Sequence, residues 1–65
     1  MTVTITIACK NAAFHDEETG EPVPGPEVAR ILRELADFVQ DQLPSSKNLY
    51  DYNGNRVGTF KISGV

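Results

Sequence analysis

Residues Thr2 to Cys9 alternate without a break, Thr-Val-Thr-Ile-Thr-Ile-Ala-Cys, which puts Val3, Ile5, Ile7 and Cys9 on one side of an extended chain and the threonines on the other. A strand with one apolar face belongs to an antiparallel sheet covered on a single side. The rest of the chain must therefore supply one cover and the partner strands.

The cover is legible further along. Gly25-Pro26-Glu27 is a helix start, with proline in the first turn and an early carboxylate at the positive end of the dipole. The helix is expected from Pro26 to Leu43, where Pro44 ends it. Val28, Ile31, Leu32, Leu35, Phe38 (or Val39) and Leu43 recur at spacings of three and four, one apolar stripe for the sheet.

Two further strands, Asn48 to Tyr52 and Arg56 to Ile62, flank Asn53-Gly54, a strong hairpin signal. A two-residue turn groups Leu49 with Phe60 and Ile62. A three-residue turn with a bulge at Gly54 groups Tyr50 with them instead. The expected fold is α+β, a single domain over residues 1–65 in β-α-β-β order, with one helix on one face of a three-stranded antiparallel sheet. The expected strand order is first, third, second, because the hairpin pairs locally and the first strand adds at its free edge.

Between them, Lys10 to Pro24 has no periodicity and reads as a long exposed loop, with a short turn around Ala12 to His15 that tucks Phe14 against the core. A chain of 65 residues buries a small share of its surface, so its stability margin is thin. Secreted domains of this size usually depend on several disulfides, and the lone Cys9 can form none internally. An intracellular, cytoplasmic protein is expected, with neither a signal peptide nor a membrane span.

Catalytic, metal and cofactor chemistry finds little footing. Cys9 lies on the apolar strand face with nothing to activate it, so pairing with His15 as nucleophile and base is a poor reading. Asp51-Tyr52-Asn53-Gly54-Asn55 resembles the opening of a calcium loop, but Gly54 is fourth where that loop needs a sixth-position glycine, and Ile62 stands where it needs a glutamate. His15 with consecutive carboxylates cannot converge on a metal. No phosphate-binding glycine loop is present. Neither an enzyme nor a cofactor is expected.

Charge points elsewhere. Nine acids against six bases give a net charge of −3, which opposes direct nucleic-acid binding and favours a basic protein partner. Asp16, Glu17, Glu18, Glu21 and Glu27 follow one another with no base between Lys10 and Arg30. On the helix, Glu27, Glu34 and Asp41 recur every seven residues, with Asp37 beside the last two. Asp37 and Asp41 sit at the end where negative charge opposes the dipole. Arg30 and Arg33 are spaced to pair with Glu34 and Asp37. These eight carboxylates are the candidate partner-binding residues.

Asn11-Ala12-Ala13-Phe14, Glu27 to Ala36 and Asp51 to Gly58 together resemble a group of small proteins encoded by bacteriophages and mobile elements, in or near which stand the small acidic type I-C anti-CRISPR proteins. The resemblance implies an inhibitor, working in the cytoplasm of an infected bacterium, that occupies the basic DNA-binding surface of a CRISPR surveillance complex with carboxylates in place of phosphates. On that reading a monomer is expected, with a dimer as the alternative. The rival is a phage structural or regulatory accessory protein that dimerises through the open edge of its sheet.

Overall fold

The computed structural model describes residues 1–64, with β1 over Thr2–Ile7, a 3-10 turn at Ala12–Phe14, α1 over Gly25–Gln42, β2 over Ser46–Tyr50 and β3 over Arg56–Ser63. The three strands form one antiparallel sheet in the order β1-β3-β2, as the sequence leads one to expect. No helix is long and apolar enough to cross a membrane among the described residues.

The helix begins with the Val28 amide donating to the Pro24 carbonyl, so Gly25 is the first helical residue and Pro26 the second. It ends at Leu43, a left-handed cap with φ of 35° whose amide donates to the Val39 carbonyl. Leu43 therefore leaves the apolar stripe and is 61% exposed.

The core consists of Phe14, Ile31, Leu35, Leu49, Val57 and Phe60. Leu32, expected among them, is instead 41% exposed. One residue on from Ile31 is a rotation of about 100°, and since Glu34 and Phe38 flank the helix on the β2 side, Leu32 lies on the opposite flank, towards β1. Phe38 and Val39 are both half-buried, and the Lys47 ammonium rests 4.6 Å from the centre of the Phe38 ring.

The apolar face of β1 is also less covered than its alternation suggests. The strand ends at Ile7, and only Ile7 and Cys9 pack against the core, while Val3 and Ile5 are exposed. A single helix is too narrow to roof all three strands, and it sits over β3 and β2.

The hairpin joins Tyr50 to Arg56 through five residues instead of two, and an extra residue, Val57, bulges between the pairs Leu49 with Gly58 and Tyr50 with Arg56. Leu49 and Phe60 share the buried face and Tyr50 is exposed, the grouping of the two-residue turn reached by a different loop. β2 starts two residues before its expected position, at Ser46.

Candidate functional site

Polar side chains divide into a buried hub that holds the fold and an exposed set that does not. Asp51 is buried, and its carboxylate accepts from the Asn53 amide at 3.0 Å, the Asn55 amide at 2.9 Å and Asn11 Nδ2 at 3.1 Å. Burial pushes this carboxyl up, but the hydrogen bonds from Asn11, Asn55 and Asn53 outweigh it and hold the pKa below its ordinary value. Asp51 is thus the organiser of the hairpin loop, a role its place in the turn only hinted at.

Glu27 corrects the acidic-surface reading directly. Its side chain is 6% exposed, takes Arg30 in a bidentate pair at 2.6 and 2.9 Å, and accepts the Tyr52 amide at 2.8 Å. The Arg30 guanidinium holds its carboxyl below the ordinary value against the opposing effect of burial, and Glu27 in turn raises the pKa of Arg30. Arg30 also reaches the Tyr50 carbonyl at 3.2 Å. Glu27 faces inward because the register that turns Ile31 and Leu35 to the sheet carries it along, one turn earlier. It ties the helix to the hairpin and is not available to a partner.

The segments Asn11–Phe14, Glu27–Ala36 and Asp51–Gly58 meet at this hub through Asn11, Glu27 and Asp51. Within those blocks Asn11, Phe14, Glu27, Ile31, Leu35, Asp51 and Val57 hold the fold.

The long loop is shaped rather than loose. Val23 donates to the Phe14 carbonyl, His15 bridges Pro22, and Asp16 and Glu21 close the end with an amide-to-carbonyl bond of 2.8 Å. The Asp16 carboxylate accepts the Glu18 and Thr19 amides, which lowers its pKa, Thr19 contributing most. Gly20 completes the turn at φ of 73°. His15 donates from Nδ1 to the Asn11 carbonyl at 2.8 Å. Asp16 is therefore exposed but occupied, while Glu17, Glu18 and Glu21 stand on the tip.

Glu34 is 71% exposed and paired with Arg30 at 3.1 Å. Asp37 and Asp41 are exposed, and the expected partner Arg33 makes no ion pair with Asp37 among the described residues. Glu17, Glu18, Glu21, Asp37 and Asp41 are the carboxylates that neither the hub, the loop turn at Asp16 nor an ion pair employs among the described residues. They form two groups, because the loop adjoins the start of α1 while Asp41 lies about 21 Å along the axis from Glu27.

Two shallow hollows open on the surface of the described residues. One, of about 230 Å³, lies between α1 and β2 over Ile31, Leu35 and Leu49, with Glu34 and Lys47 on its rim. The other, of about 280 Å³, lies among Met1, Leu43, Pro44, Ser45 and Ile62. Both fall short of the roughly 300 Å³ at which small-molecule pockets begin. No group of three or more metal-ligating side chains occurs among the described residues. Comparisons with protein-family models, curated proteins and solved structures find no match.

Proposed function

We propose that this protein is a non-catalytic inhibitor that binds a basic protein surface, that of a type I-C-like CRISPR surveillance complex in the cytoplasm of an infected bacterium, and blocks its access to target DNA. The observation that supports it is the loop tip, where Glu17, Glu18 and Glu21 are exposed on a frame closed by Asp16, Gly20 and the Phe14–Val23 bond, with no cation paired to them among the described residues. A surface built to receive DNA offers clustered Lys and Arg, and carboxylates held on a fixed frame meet it without the ordering cost of a floppy loop. Asp37 and Asp41 form the second contact region, with Glu34 partly neutralised by Arg30.

The test is competition with DNA. The protein is expected to prevent a purified type I-C surveillance complex from binding its target, and the association rate is expected to fall steeply with salt. Reversal of Glu17, Glu18 and Glu21 to lysine is expected to abolish inhibition with the melting temperature kept. Asp16 is left intact because its carboxylate holds the turn. Full inhibition by this variant and by Asp37→Lys/Asp41→Lys would remove the acidic groups as the site. No inhibition by the parent would favour the accessory-protein reading, which draws support from the open edge of β1.

A further inference from the structure

β1 is an edge strand whose outer side no described residue closes. Its register with β3 pairs residues whose numbers sum to 65, and the Ala8 amide donates to the Val57 carbonyl on that same register. Hydrogen-bonding direction alternates along an antiparallel strand, so Thr2, Thr4 and Thr6 bond to β3 while Val3, Ile5 and Ile7 aim their amides and carbonyls outward. The contact from Cys9 Sγ to the Ile7 carbonyl, at 3.9 Å, agrees with that direction. Among the described residues no side chain or loop hydrogen-bonds to Val3 or Ile5 from outside the sheet.

The same residues carry uncovered apolar surface. Val3 is 52% and Ile5 43% exposed, and Met1, Leu32 and Leu43 continue the patch at 81%, 41% and 61%. The hollow that joins Met1 and Leu43 to Ile62, the partner of Val3, places Met1 and Leu43 on the same side as Val3 and Ile5. Proteins that guard an edge use lysine, proline or a bulge. β1 has none, and its pairing with β3 is regular.

The geometry points to a second copy of this chain as the occupant, bound by antiparallel pairing of β1 with β1 about a two-fold axis at Ile5, to give a six-stranded sheet. In that register Ile5 faces Ile5 and Val3 faces Ile7 on the helix side, while Thr4 faces Thr6 on the other. Every cross-strand pair joins like with like and every outward backbone group finds its complement.

Charge selects this face over others. Asp16 is the first acid in the chain, so residues 1–15 bring no carboxylate to the interface, although the molecule carries −3. Antiparallel pairing also sets the two acidic loops at opposite ends of the strand pair, about 20 Å apart at 3.3 Å per residue. Contact through the helix or loop would press carboxylates together. The dimer does not rest on the inhibitor reading, since each loop stays free to engage a partner, and DNA competition and self-association are separate measurements.

Sedimentation equilibrium tests it. The parent is expected to shift from the chain mass to twice that mass over a concentration series reaching about 1 mM. Ile5→Lys, which sets like charges opposite each other at the axis, is expected to stay at the chain mass with its melting temperature kept. Val3→Pro is the second variant, because its outward amide is not used by β3 and the ladder survives the substitution. In a Cys9→Ser background, Ile5→Cys is expected to oxidise to a disulfide-linked dimer. A parent that remains at the chain mass throughout overturns the proposal, as does a dimer that both Ile5→Lys and Val3→Pro leave intact.

Discussion

At the scale of single residues, neighbours in sequence with the same chemistry do different work. Leu35 is 4% exposed and Leu32 41%, so truncation costs are expected to diverge. Leu35→Ala should lose about 2–5 kcal/mol through the cavity it leaves. Leu32→Ala should stay within about 0.5 kcal/mol. Urea denaturation of both variants checks the pair, and equal losses would mean that the helix is turned differently on the sheet. The carboxylates divide in the same manner. Glu27→Ala strands the Tyr52 amide and unpairs Arg30, and should cost about 1–3 kcal/mol. Glu34→Ala, at an exposed pair, should change stability by less than about 1 kcal/mol.

At the scale of elements, the joint between β1 and β3 depends on a missing side chain. A Cβ on Gly58 would lie 1.8 Å from the Thr6 carbonyl oxygen, which is backbone held in the ladder and cannot step aside. Gly58→Ala is therefore expected to pry β1 from β3 and to destabilise by at least about 1–3 kcal/mol, with the amides of Thr4 and Thr6 losing hydrogen-exchange protection first. The hairpin loop is held from the other side by Asp51, whose three amide and side-chain partners replace the two-residue turn that Asn53-Gly54 suggests. Gly54 still supplies the positive φ, of 85°, that the loop requires.

At the scale of the whole molecule, two buried carboxylates couple folding to acid. Glu27 and Asp51 are both held below their ordinary pKa values in the folded state. The unfolded chain then binds protons more readily than the folded one, so the stability they contribute is complete above the ordinary carboxylate value of about 4 and drains away as pH falls through the lower folded values. Melting temperature is expected to be flat above about pH 5 and to drop below pH 4, with Glu27→Gln and Asp51→Asn shallowing that drop. A melting temperature unchanged down to pH 3 would show that neither carboxylate is linked to folding.

Local patterns determined the elements, because strand alternation, helical spacing, Pro44 and Asn53-Gly54 each act over a few residues and are written in the chain. A hairpin pairs its own strands but leaves two free edges, one on each strand, so it was the tertiary structure that seated β1 on β3. Tertiary structure alone decided which apolar residues the helix covers, because one helix can roof only part of a three-stranded sheet and its rotation is set by packing. That rotation buried Ile31 and Leu35, exposed Leu32 with Val3 and Ile5, and turned Glu27 from a surface charge into a buried tie. Of the eight candidate carboxylates, charge runs revealed the free tip at Glu17, Glu18 and Glu21, and Asp37 and Asp41 on the helix. Hydrogen bonds reaching across 25 and 40 residues, from Tyr52 to Glu27 and from Asn11 to Asp51, decided which acids belong to the fold, and no local spacing encodes a partner so far along the chain.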